Sequence, residues 1–161
     1  MKKDSMEKTN VMRLLDQKKA AYTAHSYAST GAISGVDVAA ALGQDPAKVF
    51  KTLVTIGKTG QHYVFVIPVA KELDLKKAAK AAGEKSIEMI KSKELLPLTG
   101  YIHGGCSPIG MKKFFPTCID RTAEDCDTIC FSAGKIGYQV EMSLETLSKM
   151  IRFSLADLTE E

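Results

Sequence analysis

The sequence predicts an α+β fold: a single compact domain whose mixed, largely antiparallel and partly barrel-like sheet is flanked by helices. Three observations predict it. Short β-branched runs follow one another too closely for regular βαβ crossovers, amphipathic helical runs lie among them, and glycine- or proline-marked turns separate them. At 161 residues, 45% of them hydrophobic, the chain has room for one core and is too apolar for a disordered segment. The expected organisation is a flexible N-terminal segment at 1–6 and one domain at 7–161.

Residues 7–19 carry Val11, Leu14 and Leu15, with the alkyl stem of Lys18, at helical spacing, and Asp4 or Ser5 is the expected cap. A short element at 21–27 precedes a glycine- and serine-marked turn at 29–35. A short helix at 37–42 ends at Gly43, and Asp45-Pro46 opens another turn. Strands at 49–56 and 62–69 flank Gly57-Lys58-Thr59-Gly60, a hairpin turn. The alanine- and lysine-rich run 74–82 is a helix stopped by Gly83. A short strand at 86–89 and a helical turn at 92–96, ending before Pro97, come next. Strands at 117–120, 128–132 and 138–141 precede a helix at 143–150 capped by Ser143.

No apolar run is long enough to span a bilayer, and the basic start lacks the apolar stretch of a signal peptide. Four cysteines crowd the last third, which favours reduced thiols, a cytoplasmic setting and no membrane partner. The net charge of +3 is unevenly spread. Residues 51–113 hold eleven Lys/Arg against five Asp/Glu, and residues 114–161 hold four against nine. Either an ordinary solvated surface or a phosphate-attracting face fits that imbalance.

Cofactor signals are missing: no Gly-x-Gly-x-x-Gly follows a strand, and Lys58-Thr59 lacks the preceding Walker glycines. Cys118, Cys126 and Cys130 fit a zinc spacing only loosely, so packed thiols are expected and no metal. His25, His62 and His103 sit in no recognisable nucleophile motif. Cys106 would need a cationic neighbour or a helix N-terminus to become a nucleophile, and the sequence displays neither. Two features stand out. Lys51 interrupts the apolar strand around Phe50, where it either faces solvent or points a rigidly held cation into a pocket. The turn Gly104-Gly105-Cys106-Ser107-Pro108-Ile109-Gly110 is either a tight connector or a wall whose backbone approaches a ligand closely.

Val49-Phe50-Lys51-Thr52-Leu53-Val54, the helix at 72–80, and Thr99-Gly100-Tyr101 through Gly104-Gly105-Cys106-Ser107-Pro108-Ile109-Gly110 to Lys113 carry a further signal. With Ile119-Asp120 and Ser132-Ala133-Gly134-Lys135-Ile136-Gly137, their order and spacing resemble the YbaK/EbsC family from about residue 7 to the end. The branch most similar is that of bacterial Cys-tRNA(Pro) deacylases, which resemble the inserted editing domain of prolyl-tRNA synthetases.

The resemblance implies a trans-acting enzyme that cleaves the aminoacyl ester of mischarged tRNA(Pro), taken at its acceptor end, with a transient prolyl-tRNA synthetase complex. It implies catalytic roles for Lys51 and Gly105, and a pocket involving Tyr27, Phe50, Gly104, Cys106, Ser107, Pro108, Asp120, Gly134 and Lys135. Cys106 stands where the family usually carries an aliphatic residue, which makes packing its simplest role. The implied reaction is assisted by the substrate's own thiol. A deacylase of another preference, such as Ala-tRNA(Pro), or a noncatalytic aminoacyl-tRNA- or synthetase-binding module, are the alternatives.

Overall fold

The computed structural model describes residues 7–161; the expected flexible segment 1–6, and the Asp4 or Ser5 cap, lie outside them. Helix α1 spans Asn10–Gln17 and is capped by Thr9, whose side chain accepts the Met12 N–H. Its buried face is Val11, Met12 and Leu15, so Met12 takes the place expected for the stem of Lys18, which is exposed. Strand β1 (Thr23–Ser26) leads through a 3₁₀ turn to α2 (Gly35–Ala41), capped by Ser34. Strands β2 (Phe50–Gly57) and β3 (His62–Pro68) form the expected hairpin.

Helix α3 (Leu75–Ala82) follows its Asp74 cap and stops at Gly83, which takes the left-handed conformation. Strand β4 (Ile87–Met89) precedes α4 (Ser92–Thr99). Here the structure departs from the sequence expectation, because α4 runs through Pro97 for another two residues. The helix closes by other means: Thr99 Oγ1 donates to the Leu95 carbonyl, and the left-handed Gly100 donates its N–H to Leu96. Strands β5 (Thr117–Asp120), β6 (Ile129–Ser132) and β7 (Tyr138–Met142), helix α5 (Leu144–Ser148) and β8 (Ser154–Ala156) complete the chain. Strand β8 was not expected.

The strands form two sheets, with no closed barrel among the described residues. One runs β1–β7–β6, antiparallel throughout; the other runs β4–β2–β3–β5–β8. In the second, β4–β2–β3 is antiparallel and β3–β5–β8 is parallel, so the mixed character is confined to it. A single parallel bridge, Val49 to Cys130, joins the start of β2 to β6. The larger core lies between the sheets and α1, with Leu15, Phe50, Val66, Ile119 and Phe131 fully or nearly fully buried. Side chains of that size contribute about 1.5–3 kcal/mol each when buried.

Asp120 anchors the C-terminal strand. It is 1% exposed, and its carboxylate accepts the Leu158 N–H at 2.9 Å and the Thr122 hydroxyl at 2.6 Å. Removing it strands a buried donor. Asp120→Ala is expected to lower the unfolding free energy by about 1–3 kcal/mol, read as a lower urea midpoint at unchanged slope.

Candidate active site

A cavity of about 540 Å³ opens where the two sheets diverge from the Val49–Cys130 bridge. Its size suits a small organic ligand. Strand β2 supplies Phe50, Lys51, Thr52 and Leu53; β6 and β7 supply Phe131, Ser132, Tyr138 and Gln139. Residues 33–38 at the start of α2 close one side, and Leu95, His103, Gly104 and Cys106 close the other. Tyr27, 3% exposed, completes the wall.

Two glycines set the shape of this opening. A Cβ on Gly35 would lie 2.2 Å from Val69 Cγ1, so only glycine lets α2 seat against the end of β3. Gly104 has a φ of 89°, and a Cβ there would sit 3.1 Å from Ile33 Cγ2 across the cavity mouth. At both positions the missing side chain lets neighbouring segments of the chain approach closely.

The polar equipment is sparse. The Lys51 ammonium lies 3.8 Å from the exposed carboxylate of Glu72, near enough to feel its charge but too far for a hydrogen bond. Its three donors therefore remain available to a ligand. Next along the strand, and so on the opposite face of β2, Thr52 Oγ1 is buried with no hydrogen-bond partner among the described residues. An unpaired hydroxyl shielded in this way costs free energy. Gln139, 2% exposed, is locked in a reciprocal amide pair with Gln44 at 2.7 and 2.9 Å.

The cysteine in the wall is unreactive by its surroundings. Burial pushes the Cys106 thiol up to about 12, and the neighbouring Tyr101 hydroxyl is likewise pushed up to about 12, mainly by burial. Cys130, beneath the bridge, is also pushed up to about 12 by burial and then by Glu141. No cluster of metal-ligating side chains occurs among the described residues, and all four cysteines are free thiols.

Of the residues singled out from the sequence, Lys51, Tyr27, Phe50, Gly104 and Cys106 meet at this cavity. The others stand behind it. The Gly105 N–H is committed to the Ile102 carbonyl at 2.9 Å, and a Cβ there would sit 3.2 Å from the Ile136 nitrogen. Ser107 is fully buried and its hydroxyl accepts the Ile109 N–H; Pro108 is buried beside it. Asp120 holds the C-terminal strand, and Gly134 makes room for Tyr101 and Val11. The Lys135 ammonium pairs with Glu7 and lies over the Tyr138 ring. Wall residues not foreseen include Thr52, Leu53, Leu95, Phe131, Ser132, Tyr138, Gln139 and the segment before and at the start of α2. Only Ser34-Gly35, a cap followed by a glycine, offered a local sign of that segment.

Fold and cavity together define an α+β domain with a cavity edged by a cation. The chain belongs to the aminoacyl-tRNA editing domain family, whose model matches residues 32–150. An Enterococcus faecalis protein, EbsC, named as a candidate Cys-tRNA(Pro)/Cys-tRNA(Cys) deacylase, is 45% identical over 159 residues, covering 98% of this chain and 97% of that protein. A solved structure described as a candidate trans-editing enzyme for prolyl-tRNA synthetase superposes with a TM-score of 0.80 at 23% identity, covering 95% of this chain and 99% of that one. The hypothetical protein APE2540 superposes with a TM-score of 0.84 at 23% identity, over 93% of this chain and 99% of its own. These two likenesses establish the editing-domain fold.

The burial of the thiols has a direct chemical readout. With a thiol-specific reagent at pH 8, the less buried Cys126 is expected to react first, and Cys106 only on unfolding. A fast-reacting thiol that disappears in Cys106→Ala would contradict this.

Proposed function

We propose that this protein is a trans-acting deacylase that removes cysteine from mischarged Cys-tRNA(Pro). The observation that carries the reading is a cavity edged by the Lys51 cation whose own wall thiol, Cys106, is held protonated. The cavity offers groups that bind and orient, and its cysteine is no nucleophile. Chemistry of that kind falls to a ligand carrying its own reactive group.

In the proposed reaction the substrate's thiol attacks its own ester carbonyl. The carbon–sulfur bond forms as the bond to the ribose oxygen breaks, and the leaving hydroxyl takes up the proton that the thiol gives up. The cyclic thioester then adds water and opens to free cysteine. Holding the thiol against the carbonyl supplies the acceleration through proximity. Lys51 anchors the terminal nucleotide. Backbone N–H groups around Gly104 and Cys106 face any charge that develops. Gly105, whose N–H is already bonded, contributes by packing.

The E. faecalis relative's name pairs two tRNAs that both carry cysteine. Selection of the amino acid in the cavity accounts for that breadth, with tRNA identity left to a partner such as prolyl-tRNA synthetase. The substrate setting is the cytoplasm, and no helix among the described residues is long and apolar enough to cross a membrane.

Lys51→Ala is expected to reduce Cys-tRNA(Pro) deacylation at least a hundredfold, about 2.7 kcal/mol of transition-state binding, and Cys106→Ile to retain most of it. Release of labelled amino acid from charged tRNA measures both. An inactive but folded Cys106→Ile protein would sink the substrate-assisted route.

Removing the substrate thiol tests the same step from the other side. Ser-tRNA(Pro) or Ala-tRNA(Pro) should be cleaved far more slowly than the cysteinyl ester. Comparable rates for all three would point to an activated water instead.

A further inference from the structure

Outside the cavity, the least explained feature is a set of lysines on and beside α4. Lys91 precedes the helix, Lys93 lies in its first turn, and Lys112 and Lys113 lie on the segment beside its C-terminal end. The Lys112 N–H donates to the Thr99 carbonyl at 2.9 Å, and its side chain lies 3.4 Å from the Cβ position of Gly100. An eight-residue helix is about 12 Å long, so the four lysines flank one short ridge. All four are exposed, and none forms an ion pair among the described residues.

That placement runs against the local electrostatics. Cations at a helix N-terminus oppose the macrodipole. The carboxylate in the first turn, Glu94, spends itself on the Lys91 N–H at 2.8 Å and does not pair with the lysines. The same segments expose two large apolar groups, Leu96 on α4 at 52% and Phe114, which follows Lys113, at 49%. Lysines adjoining an exposed aromatic ring are the equipment of a surface that tracks a phosphate backbone and stacks a base. The same helix carries Leu95 into the cavity wall, so whatever strand is joined to a ligand in the cavity has this ridge within reach.

We infer that the α4 ridge with Lys112, Lys113 and Phe114 is the docking face for the RNA strand that adjoins the ester, gripping phosphates with the lysines and a base with the phenyl ring. The inference rests on the deacylase reading and adds to it the surface that separates a charged tRNA from a small aminoacyl ester. The occupant is RNA and not an acidic protein because a flat aromatic group among separated cations suits stacked bases and spaced phosphates.

The test compares Lys93→Gln/Lys112→Gln/Lys113→Gln with the unaltered protein on two substrates, charged tRNA and cysteinyl-adenosine. The triple variant should raise KM for charged tRNA about tenfold at about 0.1 M salt. Its log(kcat/KM) should vary less steeply with log salt by about two, from three lost contacts of about 0.7 each. Turnover of cysteinyl-adenosine should be unchanged. Phe114→Ser should weaken tRNA binding without altering the salt slope, and Lys76→Gln/Lys80→Gln on α3 should change nothing.

An unchanged KM and slope would overturn the inference, as would an equal loss on cysteinyl-adenosine or a loss seen only when a synthetase is added. Binding of an uncharged acceptor-stem hairpin, followed by fluorescence anisotropy, keeps the two readings apart. Salt-dependent hairpin binding that the triple variant loses, in a protein that cleaves no ester, would remove the deacylase and leave the docking face. Ester cleavage with hairpin binding indifferent to the lysines would do the reverse.

Discussion

The whole site depends on the bridge between Val49 and Cys130, where the two sheets are joined backbone to backbone. Strand β2 is paired along its length with β3, so its start is held rigidly. Strand β6 is held as firmly by β7. Away from the bridge, side chains of both sheets fill one part of the gap with the larger core and leave another part open. Ala39, Val49, Val69 and Cys130 seal the closed end of the gap, and the open end is the cavity. Lys51 sits two residues beyond the bridge, on the most constrained stretch of backbone near the opening. A cation placed there is positioned by hydrogen-bonded strand and not by a mobile loop, which is what orienting a ligand requires.

Glycine then governs how much of the gap stays open. At Gly35 the absent side chain lets a helix approach β3; at Gly104 it lets the backbone lie close to Ile33 and Ile136. The run from residue 104 to 110 therefore does two jobs at alternate positions. Gly104 and Cys106 face the cavity, while Gly105, Ser107, Pro108 and Ile109 turn inward and bind the turn to the body of the protein. The choice between connector and wall that the sequence leaves open is resolved as both, residue by residue.

What could be read from the sequence was what local physics decides. The β2–β3 hairpin has its turn glycines, and α3 has an aspartate cap and a glycine stop, so each was legible within ten or so residues. Strand β8 was not, because its three residues become a strand only by lying parallel to β5, far earlier in the chain. The passage of α4 through Pro97 was equally hidden, since its last turn is secured by Thr99 and Gly100 after the proline. The site divides in the same manner. Lys51 was visible as a charge in an apolar strand, whereas Thr52 looks like any strand threonine until its hydroxyl is found buried without a partner. Asp120 and Lys135 show the converse limit. Their place in a family signature marks them without saying whether chemistry or folding keeps them, and here one ties down a strand and the other meets Glu7.

The poverty of the site in reactive groups bears on selectivity. A hydrolase with its own nucleophile would have to tell cysteine from proline by shape, and a difference of one or two heavy atoms in an apolar pocket is worth only about 1–3 kcal/mol. If the attacking sulfur comes from the substrate, a prolyl ester bound in the same cavity has nothing with which to react. Discrimination then rests on the presence of a functional group and not on the fit of a side chain. Burying Cys106 until its thiol stays protonated serves the same end, because a thiolate in that wall would attack any ester the cavity admitted.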